Sequence, residues 1–114
     1  MDWDFVEPEM LERIVQTYMT DPGVPEFRAR HTELTDDMVK DYFKFSQFVH
    51  DNERRLGRKK LFDRWIFNGY FDEDNIRIFS ICALQYNRPV EEFIANFKKV
   101  SAAFNEDSNS RAEQ

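Results

Sequence analysis

The sequence predicts an all-α fold, on three observations. Only three Gly and four Pro occur in 114 residues, too few for a sandwich or barrel that turns every ~8–12 residues. Apolar residues recur at spacings of three and four along most of the chain. The core stock is aromatic: twelve Phe, four Tyr and two Trp stand beside seven Val, six Ile and five Leu. Aromatic side chains bury roughly 150–250 Å² each, so a few of them close a small core. A chain of this length holds one such core. The expectation is a single compact helical domain over residues 1–104, four to five helices, with a polar tail at 105–114.

The first helix is expected at about 8–19, where Pro8 suits an opening turn and Leu11, Ile14, Val15 and Tyr18 form one stripe. Asp21-Pro22-Gly23-Val24-Pro25 ends it, and residues 20–31 read as a loop with at most one helical turn at 26–30. The second helix is expected at about 36–56. Thr35 is its N-cap, Asp36 and Asp37 occupy the turn where the dipole favours negative charge, and Leu34 with Val39 makes a hydrophobic staple. Gly57 is its stop. A third follows at about 59–68, carried by Leu61, Phe62, Trp65 and Ile66.

Asp72 caps a fourth at about 74–87, whose apolar residues point in nearly every direction on a helical wheel. That pattern predicts a buried central helix. The competing strand reading of 75–81 finds no partner strand. Arg88-Pro89 opens the last helix, at about 90–104, with Val90, Phe93, Ile94, Phe97, Val100 and Phe104 in one stripe. Glu91 and Glu92 near its start and Lys98 and Lys99 near its end follow the dipole order. Residues 105–114 carry no large apolar side chain and are expected to be disordered.

Motifs for chemistry are sparse, and the sequence predicts no enzyme, no cofactor and no metal. Cys82 lies in an apolar context with no histidine near it in sequence, the setting of a buried structural thiol. His31 and His50 fit no metal-ligand spacing and are expected at the surface or in loops. The Asp72-Asp74-Asn75 run fails as a calcium loop, since Arg77 stands where glycine is needed. A helix-turn-helix over 79–97 would set Glu91 and Glu92 against phosphate, which favours a plain helix corner. No apolar run approaches the roughly 20 residues of a membrane span, and the opening Met1-Asp2-Trp3-Asp4 lacks the marks of a signal peptide. The expected location is the cytoplasm, with no membrane association.

Two features point to partners. Arg54, Arg55, Arg58, Lys59, Lys60 and Arg64 face only Asp63 over residues 54–64, a net of +5, so with −6 for the whole chain the other residues carry −11. Such a corner holds phosphates of a nucleic acid or an acidic protein surface. The second feature is aromatic surplus: Trp65, Phe67, Tyr70 and Phe71 lie beside that corner, and Phe43 and Phe48 fall on opposite flanks of the second helix. Aromatics next to arginine are the composition of interface hot spots. The function expected is a small acidic regulatory or adaptor protein that binds a protein partner through these aromatics and the basic corner. Self-association is open to the same surface. The alternative is a nucleic-acid-associated protein, or a subunit of a nucleoprotein complex, with the 54–64 cluster as phosphate clamp.

Overall fold

A computed structural model describes residues 3–52 and 73–112. It is an all-α single domain, and no strand occurs among the described residues. The helices are α1 (Pro8–Met19), α2 (Gly23–Arg30), α3 (Asp36–Asp51), α4 (Glu73–Gln85) and α5 (Val90–Ala112). The expected helix at 59–68 lies outside the described residues.

α1 spans the residues its pattern predicts, but its stripe is buried only in part: Ile14 is half-buried and Tyr18 is 41% exposed. Pro8 sits in the opening turn, where a missing N–H costs nothing, and Leu11 and Val15 are buried. Thr20 closes it by donating its hydroxyl to the carbonyls of Gln16 and Thr17. α2 occupies residues expected to be loop. Its two prolines are harmless because Pro22 precedes the helix and Pro25 lies in its first turn, where no intrahelical donor is required. Pro22 is its N-cap residue, and just ahead of it the Asp21 carboxylate accepts from Gly23 N at 3.0 Å.

α3 starts as the sequence dictates, with the Thr35 hydroxyl accepting from Met38 N and both staple residues, Leu34 and Val39, buried. It stops at Asp51 instead of running to 56. The side chain of Asn52 donates to the Phe48 carbonyl at 2.8 Å and to the Asp4 carbonyl at 2.8 Å, and accepts from Asp4 N at 2.7 Å. A buried carboxamide thus stands in for a peptide group and ties residues 3–7 to the end of α3. Trp3 and Phe5 reach Phe48 from that segment, at ring-centroid distances of 5.6 and 5.3 Å.

The centre of the domain is α3, which packs against α1, α4 and, most extensively, α5. α4 is not buried all round as its wheel suggested. Ile78, Phe79, Cys82 and Ala83 enter the core, while Ile76 is 45% and Leu84 71% exposed. The wheel fails because Arg77, Gln85 and exposed apolar residues share the outer side, so hydrophobicity alone does not mark burial. Phe45, Phe79, Phe93 and Phe97 form the aromatic heart, with Phe45 stacked on Phe79 at 3.7 Å and edge-on to Phe97 at 5.2 Å.

α4 ends in a Schellman turn. Asn87 takes the left-handed conformation at φ 56°; its N–H reaches the Leu84 carbonyl, and Arg88 N reaches the Ala83 carbonyl at 2.8 Å. α5 continues past Phe104 to Ala112, where disorder was expected. Extending an existing helix adds a hydrogen bond per residue without a new nucleus. Asp107 also anchors it, bonding Arg30 Nη2 at 2.7 Å and His31 Nε2 at 2.8 Å.

Candidate docking groove

The polar groups most capable of chemistry are committed to packing. Asp41, on α3, is 1% exposed and accepts from Arg88 Nε at 3.1 Å, Arg88 Nη2 at 3.0 Å and Asn96 Nδ2 at 2.8 Å. Arg88 reaches Glu92 as well, at 3.2 Å, and the Asp41 bonds hold its guanidinium more firmly charged than usual. These contacts join α3 to the α4–α5 turn. His31 lies in the loop that follows α2 and is buried there: its ring packs on Phe27 at 4.8 Å and sits between Asp107 and, at 3.6 Å, Glu33. The bond from Arg30, then that from His31, draws the Asp107 carboxyl below its ordinary range. His50 is exposed. Cys82 is buried in the core, and burial pushes its thiol well above the ordinary value. Among the described residues no group of three or more His, Cys, Asp or Glu is placed to hold a metal ion.

An open groove of about 410 Å³ lies where α1, α3 and the α4–α5 turn meet. One wall is the α1 stripe Pro8, Leu11, Glu12, Val15 and Gln16; the facing wall is Asp37, Lys40 and Lys44 of α3; Gln85, Tyr86 and Asn87 close one end. Leu11 and Val15 lie beneath it, 4% and 3% exposed. Lys40 and Lys44 are half-buried, one helical turn apart, and neither forms an ion pair with a described residue. Tyr86 is fixed from below by Phe5, edge-on at 5.7 Å, and burial raises its hydroxyl above the ordinary phenol range. The Schellman turn at Asn87 is what presents Gln85–Asn87 to the groove.

No family model, curated protein or solved structure matches this chain.

The residues singled out in sequence divide sharply. Arg54, Arg55, Arg58, Lys59, Lys60 and Arg64, and likewise Trp65, Phe67, Tyr70 and Phe71, lie outside the described residues. Phe48 is fully buried, covered by Trp3, Phe5 and Phe45. The N-terminal segment supplies the cover that a helical wheel of α3 cannot show. Phe43 is half-buried, stacked on Tyr18 of α1 at 5.1 Å. Sequence reasoning missed the groove because its walls come from residues 8–16, 37–44 and 85–87. The signal available was Lys40 and Lys44, charges at i and i+4 adjoining an apolar face. No helix among the described residues is long and apolar enough to cross a membrane.

Proposed function

We propose that this protein is a non-enzymatic regulatory or adaptor domain whose task is to bind a protein partner, and that the groove between α1, α3 and the α4–α5 turn takes part in that binding. The observation that carries the reading is the anatomy of the groove. Its apolar lining, Pro8 and Tyr86 over the buried Leu11 and Val15, is bordered by Glu12, Asp37, Lys40 and Lys44, an apolar centre with a polar rim as found at protein interfaces. Its volume falls at the small end of the ~300–1,000 Å³ range of ligand sites, which suits a few side chains of a partner. The aromatic and basic residues of 54–71 extend the same reading in sequence.

The test is selection of displayed random 12-residue peptides on the immobilised protein, in parallel with Gln16→Trp. Gln16 is exposed on the α1 wall, so the substitution fills the groove without entering the core. Peptides enriched on the wild type and lost on the variant are expected. No enrichment, or equal enrichment on both, would overturn the groove as the binding surface.

A second reading has one specific feature in its favour, the net +5 of residues 54–64. Neutralising about five phosphates gives a log–log salt slope near −4.5 on duplex DNA. Fluorescence anisotropy of labelled oligonucleotides at about 50 and 200 mM salt, with Arg54, Arg55 and Arg58 changed together to Glu, decides it. Binding that is absent, or unchanged in the variant, removes the phosphate clamp.

A further inference from the structure

We infer that the groove takes a short amphipathic helical segment of a partner protein, with carboxylates along the edge that meets Lys40 and Lys44. This deepens the protein-binding reading and rests on it. Along α1 the wall runs from Pro8 to Gln16, and along α3 from Asp37 to Lys44. At 1.5 Å per residue these spans are roughly 11–12 Å, the length of two helical turns. Both walls present one face of a helix, at i, i+3 and i+7 on α3 and at i, i+3, i+4, i+7 and i+8 on α1. A helix laid in such a groove seats apolar anchors at i, i+3 or i+4, and i+7. The anchors meet Pro8 and Tyr86, with the buried Leu11 and Val15 behind them.

Charge sets the orientation. Lys40 and Lys44 are spaced to meet two carboxylates at i and i+4 of the occupant. Asp37, one turn before Lys40, ends the tract that accepts negative charge, so a third carboxylate beyond the pair is disfavoured. Glu12, on the α1 wall, selects a cation or amide on the occupant's opposite edge. The occupant therefore carries an apolar stripe with an acidic side and a basic or amide side.

The test uses two fluorescein-labelled 14-residue helical peptides with the same leucine stripe and the same lysine on the α1-facing edge. One carries Glu at two positions of the other edge and one carries Lys there. The wild type is expected to bind the Glu-edge peptide roughly tenfold more tightly than the Lys-edge peptide, from two rim charge pairs and the relief of repulsion. The preference is expected to weaken as salt rises. Lys40→Glu with Lys44→Glu reverses the order, and Lys40→Gln with Lys44→Gln abolishes it, each variant first shown to unfold as cooperatively as the wild type. A wild type that binds both peptides equally, or an order unchanged by the double charge reversal, overturns the inference. If neither peptide binds while displayed peptides sensitive to Gln16→Trp are recovered, the inference fails and the protein-binding reading stands. If neither is seen, both fall.

Discussion

Removing Arg88 should cost more than removing the carboxylate it serves, although both belong to one ion pair. Asp41 is 1% exposed, and without Arg88 its charge keeps only the bond from Asn96. Stranding a buried charge costs about 3–5 kcal/mol; because the Arg88 side chain is itself 24% exposed, water reaches this edge and about 3 kcal/mol is expected for Arg88→Ala. Asp41→Ala leaves Arg88 free to hydrate and orphans the Asn96 amide, a loss of about 1–3 kcal/mol. Unfolding entropy of ~2.1 cal/mol/K per residue is ~0.24 kcal/mol/K for 114 residues. Arg88→Ala should therefore lower Tm by about 12 °C. The double variant removes the stranded charge along with its partner, so its loss should fall short of the sum of the single losses by at least about 1 kcal/mol. Urea unfolding and thermal melts of the four proteins at pH 7 measure all of this. A loss under about 1 kcal/mol for Arg88→Ala, or strict additivity in the cycle, would refute the reasoning.

Asn52→Ala deletes three hydrogen bonds, two of them to Asp4, and should cost about 2–3 kcal/mol; hydrogen exchange at the Asp4 amide should quicken far more than at amides within α5. Folding holds the Asp107 carboxyl below its ordinary value of 3.8, so its contribution is present above that pH and disappears as pH falls through the lower folded value. Asp107→Asn should accordingly lose about 1 kcal/mol or less at pH 6 and match the wild type near pH 2, as read by acid titration of helicity. The Cys82 thiol, buried and pushed up in pKa, should react with a disulfide reagent at the rate of unfolding in the native protein and at once in urea; immediate reaction without denaturant would place it at the surface.

The elements legible in sequence are those whose determinants are local. Pro8 and the 11-14-15-18 stripe specify α1 without reference to any other element, and Thr35, Asp36, Asp37, Leu34 and Val39 specify the start of α3. α2 was obscured by Pro22 and Pro25, which break a helix in its interior but not at its entrance. The end of α3 and the extension of α5 depend on distant residues: Asn52 answers to Asp4, and Asp107 to Arg30 and His31. His31 lies in a loop, as one of its two expected settings has it, but its burial was hidden because nothing within its own segment announces the carboxylate that reaches it from the far end of the chain. The groove is of the same kind, since no stretch of sequence contains more than one of its walls.

The pairing of α3 with α5 has a consequence for the chain as it is being made. Phe45 and Phe97, in contact in the finished domain, are 52 positions apart, so at ~5–20 residues per second the ribosome needs roughly 3–10 s to supply the second after the first. For that interval the inner face of α3 has α1 and the N-terminal aromatics beside it, but not yet the helix that covers most of it. Tyr42 and Phe45 wait in water or in the hands of a chaperone until α5 has been made.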